Sequence, residues 1–74
     1  MLKVGDVVMF DPEGNNSYVE HFGGNIATVK RSSINSEGIN VVRVEWVVPV
    51  WFLKSFTSVS HFSASYFTKC ENHG

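Results

Sequence analysis

Val41-Val42-Arg43-Val44-Glu45-Trp46-Val47-Val48 alternates strictly along its length. Val42, Val44, Trp46 and Val48 form a wholly apolar set, while the intervening positions place Arg43 and Glu45 between Val41 and Val47. A period of two is the mark of a strand with one face on a core and the other toward solvent or a partner. Pro49 cannot donate to a ladder, so it ends this strand or marks an edge. Upstream, Asn25 to Arg31 reads as the preceding strand, with Ile26 and Val29 buried. Ser32 to Asn40 is a polar connection whose tip is Ser36-Glu37-Gly38, which makes the two strands a hairpin with a long loop.

The first strand runs from Lys3 to Phe10. Val4, Val8 and Phe10 share one face, Val7 and Met9 the other, and Gly5-Asp6 signals a turn or bulge at the entry. Asp11 to Ser17 is a loop rich in Pro, Gly and Asn. Tyr18 to Phe22 is a single turn or an extended segment that packs Tyr18 or Phe22 over one end, and Gly23-Gly24 permits a tight turn after it. Downstream, Val50-Trp51-Phe52-Leu53 reads as a short strand. Five serines punctuate Ser55 to Ser65, and Phe56, Val59 and Phe62 recur every three residues, which predicts a short helix or 3₁₀ turn capped near Thr57-Ser58. Ser65 to Cys70 is the closing strand, with Tyr66 and Phe67 on opposite faces. The sequence therefore predicts an all-β domain over residues 1–70, five strands with a short helical turn before the last, and a tail over 71–74.

Composition agrees with this class. The chain has 74 residues, 43% hydrophobic and 18% charged, with a formal net charge of −1. Val occurs twelve times and Phe six, against two Leu and two Ala; β-branched and aromatic side chains suit a pleated, half-buried surface. A chain this short buries only about 60% of its unfolded surface on folding. Its one cysteine, Cys70, excludes an internal disulfide, so association with a second copy is one route to added stability. The charge balance disfavours tight sequence-independent binding to nucleic acid, which needs a basic face. The polar, turn-rich start does not resemble a signal peptide, and the apolar run Val47 to Leu53 is too short to span a bilayer. A cytoplasmic location with no membrane association follows as the expectation. Asn15-Asn16-Ser17 then matches a glycosylation acceptor by chance.

The order of these elements resembles the SH3-like small barrels, including the KOW-type modules. Val4-Gly5-Asp6-Val7-Val8 is similar to their opening apolar-x-Gly-Asp-x-Val element. Gly24-Asn25-Ile26-Ala27-Thr28-Val29 is similar to the following Gly-x-x-Gly-x-Val strand, with Ala27 where the second glycine sits. Val42-Arg43-Val44-Glu45-Trp46 matches the Val-x-Val-x-Trp strand that follows. The resemblance covers roughly residues 3 to 48. It implies a five-stranded SH3-like barrel, a fold that serves to bind proteins, RNA, DNA or modified peptides. Small free-standing versions look like accessory proteins of bacteria or of phage.

No catalytic constellation is present in the sequence. Cys70 and His73 have a Cys-x₂-His spacing, but zinc needs two more ligands and only His21 and His61 remain. They read as a strand-end cysteine and a tail histidine, with no metal and no cofactor. A pairing of His61 with Cys70 or a serine lacks any context to orient a base, and so small a barrel has little room for a water-excluding site. The expectation is a non-enzymatic protein.

The aromatic residues are more telling. Trp46 belongs to the core alternation. Trp51 and Phe52 are adjacent, so a strand points them to opposite faces and one lies outside the core. An exposed aromatic beside Pro49 is suited to anchoring a partner. The leading expectation is a module that binds a protein, as an inhibitor or adaptor, through Trp51, Phe52, Tyr18, Arg43 and Glu45. A nucleic-acid-binding alternative rests on Lys30, Arg31, Arg43 and Lys54, which converge if the second and third strands pair. A third alternative is a small-molecule or nucleotide binder that acts as an oligomer.

Overall fold

Two short turns set the direction of the first half of the chain. The Asp6 backbone N–H donates to Lys3 O at 3.0 Å, and Gly5 sits at φ +96°, the positive-φ position of a type II turn. The Asp6 carboxylate closes the turn from the other side by accepting from the Lys3 backbone N–H at 2.8 Å. Gly5 N–H then donates to Val29 O, and Val29 N–H to Asp6 O, so the turn is stitched onto the neighbouring strand. The structure is a computed structural model that describes residues 2–12 and 17–70. Glu13 to Asn16 of the expected loop, the tail over 71–74 and His73 lie outside the described residues.

The elements follow as β1 (Val7–Phe10), α1 (Val19–Phe22), β2 (Ile26–Ile34), β3 (Asn40–Phe52), β4 (Ser55–Ser63), a 3₁₀ turn (Ala64–Tyr66) and β5 (Phe67–Lys69). The five strands form one antiparallel sheet in the order β4-β3-β2-β1-β5. The chain is all-β apart from these two single turns of helix, and the 3₁₀ turn stands directly before the last strand. Between α1 and β2, Asn25 N–H donates to Phe22 O across Gly23-Gly24, with Gly24 at φ +78°. The Asn25 side-chain amide also donates to Phe22 O, at 3.1 Å, which covers a carbonyl that the short helix leaves unpaired.

The core is aromatic and β-branched: Val8, Phe10, Phe22, Ala27, Val29, Val42, Val44, Trp46, Val50 and Phe67 are buried. Phe10 is its hub, with ring centroids 5.0–6.2 Å from Phe22, Trp46, Phe62, Tyr66 and Phe67. Trp46 is 3% exposed, and its indole N–H donates to Ser60 Oγ at 2.9 Å. That bond gives one of the β4 serines a structural reason, because a buried donor without an acceptor is costly.

Several sequence expectations are corrected by this register. Ala27, not Ile26, is buried on β2, because the strand enters in phase with Val29. Val4 lies in the exposed turn rather than on the core face. β2 runs on to Ile34, leaving only a short turn before β3, in which Asn35 Oδ1 accepts from the backbone N–H of Glu37 and of Ile39. Pro49 does not end β3. From Glu45↔Val59 the pairing jumps to Val50↔Thr57, so Trp46 to Pro49 stand against the single Ser58. Such a bulge is where a strand tolerates a residue without an N–H. It also interrupts the inward row: Val48 is exposed, and the row resumes in the same phase at buried Val50.

The largest correction concerns Ser55 to Ser65. The three-residue recurrence of Phe56, Val59 and Phe62 is not helical; Ser55–Ser63 is β4, and Val50 to Phe52 belong to β3. Phe62 faces inward opposite buried Val42, while Phe56 and Val59 lie outward opposite Trp51 and Glu45. A change of face at Ser58, opposite the β3 bulge, produces the spacing that imitates a helix.

Candidate functional site

β3 outruns β2. Its pairing with β2 ends at Ala27↔Trp46, whereas its pairing with β4 continues to Phe52↔Ser55. The end of β3 and the start of β4 thus form a two-stranded arm closed by Leu53-Lys54. The inner face of this arm rests on the α1 region: the Phe52 ring lies 4.9 Å from those of His21 and Phe22, and 6.1 Å from that of Tyr18. Its outer face carries Trp51 and Phe56, directly opposite each other with centroids 5.0 Å apart at 71°.

Most of this outer surface is apolar. Among the described residues, seven large apolar side chains are more than half exposed, and five of them are Val47, Val48, Trp51, Leu53 and Phe56. The other two, Val4 and Ile34, lie elsewhere in the chain, so the arm concentrates the exposed apolar surface. Leu53 is the extreme at 79%, followed by Phe56 at 70%. Scattered exposed hydrophobes are ordinary in small proteins, whereas a concentration of them marks an interaction surface.

The closing turn adds a second peculiarity. Leu53 and Lys54 have φ of +51° and +64°, the two left-handed residues that a two-residue type I′ hairpin needs. Asn-Gly meets that need readily; a Leu-Lys pair is strained, because Cβ crowds the following carbonyl. The strained tip and the exposed apolar arm coincide.

The expected protein-binding residues divide between the two faces of β3. Trp51, Arg43 and Glu45 lie on the outer face. Phe52 is half-buried on the inner face, with Tyr18 against it. Of the Trp51/Phe52 pair, Trp51 is therefore the exposed member. Val47 is exposed as its place in the alternation predicts, but Leu53, Phe56 and Val48 were not readable as surface residues in the sequence: Leu-Lys carries no turn signature, Phe56 has the spacing of a helix face, and Val48 continues the core alternation.

The charged residues converge elsewhere on the outer face. The register of β2 against β3 shifts between Val29↔Val44 and Arg31↔Arg43, so Lys30 and Arg31 both stand against Arg43. On its other side Arg43 is opposite His61 of β4. All four side chains are exposed. Directly opposed strand residues have Cβ atoms about 5 Å apart, and like charges there are mildly destabilising. Glu45 lies two residues along the same face, between Thr28 and Val59. Lys54 does not join this group, since it occupies the arm tip at the far end of β3.

The ion pair found among the described residues is Lys69 Nζ to Asp6 at 3.6 Å, on the β5 side of the sheet. The Lys3 backbone N–H holds the Asp6 carboxyl below its ordinary value, opposed by desolvation and assisted by the Lys69 ammonium. Among the described residues no three His, Cys, Asp or Glu side chains lie together in a way that would hold a metal ion, and no helix is long and apolar enough to cross a membrane. No protein-family model matches the chain, nor does any curated protein or solved structure.

Proposed function

We propose that this chain is a small SH3-like barrel that acts as a non-enzymatic module, binding a protein partner through the β3–β4 arm. The strand order β4-β3-β2-β1-β5, with a 3₁₀ turn before the last strand, supports the barrel assignment. The concentration of exposed apolar side chains on the arm carries the functional reading. Trp51 and Phe56 supply rigid aromatic area at small entropic cost, and Leu53 projects from the turn. Binding energy at protein interfaces is concentrated in such central anchors, with charged residues at the rim. Glu45, which lies between the arm and the basic group, fits that rim. The arm's inner face is held by α1, so the outer face is presented without prior ordering, which lowers the cost of association.

The test is retention of a partner on immobilised protein from lysate of the source cells, with nuclease added at moderate salt. A discrete protein that wild type retains, and that Trp51→Ala/Phe56→Ala loses, supports the arm as the anchor. Retention that survives both substitutions, or no retained protein, refutes the reading. A folded spectrum for the double variant excludes loss through unfolding, as both side chains are exposed and their removal leaves no core cavity.

A further inference from the structure

The group Lys30, Arg31, Arg43 and His61 is not used by the arm. Its geometry has a local cause: the β2 bulge sets two cationic residues against one, and β4 adds an imidazole in the same row. Bulges commonly re-aim side chains at functional positions. None of the four takes part in an ion pair among the described residues, and the residues opposite Arg43 are Arg31 and His61 rather than carboxylates. We propose that these four side chains form a site for the phosphodiester backbone of single-stranded nucleic acid.

Three features favour that ligand. Guanidinium groups bind phosphate oxygens through paired N–H donors, and a bound phosphate removes the repulsion between Arg31 and Arg43. The row crosses three strands, about 10 Å from Arg31 to His61 at the usual strand spacing, which suits an extended polyanion better than a single ion. The same outer face continues along β3 and β4 to the Trp51–Phe56 pair, no more than about 26 Å from Arg43 at strand rise. Exposed rings on the same face as a basic group can stack unpaired bases of a strand long enough to reach both. Acidic side chains offer no aromatic base to stack on those rings.

The experiment is fluorescence anisotropy with labelled thymidine and uridine oligonucleotides of about 12 nucleotides, in the range of small-barrel site sizes. It is run on the full chain between about 50 and 200 mM salt. Two double variants remove the same charge: Arg31→Ala/Arg43→Ala in the site, and Lys3→Ala/Lys69→Ala on the β1–β5 side of the sheet, outside it. The site variant is expected to bind at least tenfold more weakly, with its log K against log salt slope shallower by about 1.4, the loss of two single-strand phosphate contacts. The off-site variant should stay within about twofold of wild type, as its cations lie outside the site. Absence of binding at low salt, or equal weakening by both variants, overturns the proposal. So does equal competition by a glutamate peptide of the same length, which would assign the site to acidic protein segments. Because protein retention on the arm is scored after nuclease treatment, failure here leaves the arm reading untouched, and the converse holds.

Discussion

Replacing Leu53-Lys54 by Asn-Gly should make the protein more stable and less able to bind. Both residues sit in the left-handed region, at φ +51° and +64°, where a side chain with an ordinary Cβ costs about 1–2 kcal/mol. Glycine at 54 removes that cost, and asparagine at 53 tolerates the conformation better than leucine. Against this gain, the extra freedom of glycine in the unfolded chain takes back about 0.4–1 kcal/mol. Leu53 is 79% exposed, so its loss removes almost no burial. The net expectation is a gain of about 1–2 kcal/mol, a rise in Tm of roughly 5–10 °C for a domain of this size. Urea denaturation with the m-value unchanged is the assay. A variant no more stable than wild type would refute the strained-turn argument. If stability rises while partner retention falls, the strain belongs to a binding tip; if both rise, Leu53 is not an anchor.

Other outcomes follow from the core and the turns. Phe10→Ala should cost about 3–5 kcal/mol, at least roughly a quarter of a total stability of roughly 4–11 kcal/mol for 74 residues, and its urea midpoint should fall in proportion. Ser60→Ala leaves the buried Trp46 indole N–H without its acceptor and should lower stability by about 1–3 kcal/mol, whereas Ser65→Ala, at an exposed position, should change it by less than about 0.5 kcal/mol. Gly23→Ala should destabilise, since the new Cβ would meet Val19 O at 2.5 Å, and Gly5→Ala should do so to a lesser degree, through its positive φ alone. The Asp6 carboxyl titrates below its ordinary value in the folded chain. Its contribution is therefore complete above the unfolded value, near 3.8, and is lost as pH falls through the folded one. The gap between wild-type and Asp6→Asn urea midpoints should accordingly narrow below about pH 4, and a gap that widens on acidification would contradict the assignment.

Much of the fold was legible because its signals are local. The Val42, Val44 and Trp46 alternation places three side chains in the core without reference to any other strand. Gly5 and Gly24 fall where positive φ is needed, and Phe22, one of the two aromatic residues expected to cover one end, is the one that is buried. The convergence of Lys30, Arg31 and Arg43 was readable only conditionally, on the pairing of β2 with β3. Val48 and Phe56 were misread for one shared reason. Each lies at or beyond the irregularity between β3 and β4, and a bulge interrupts the alternation without leaving a distinctive residue behind.

The all-β class, strand β3 and the turn at Gly5-Asp6 are written locally in the chain, since strand periodicity and left-handed backbone demands act over a few residues. Only the tertiary structure decided that Ser55–Ser63 is a strand, that Trp51 and Phe56 face solvent together, and that His61 joins the arginines. These outcomes depend on register between strands, set by side chains meeting across the sheet. Register is a long-range property: the residues inserted opposite Ser58 and Arg43 change which side chains reach the core and which are left to meet a partner.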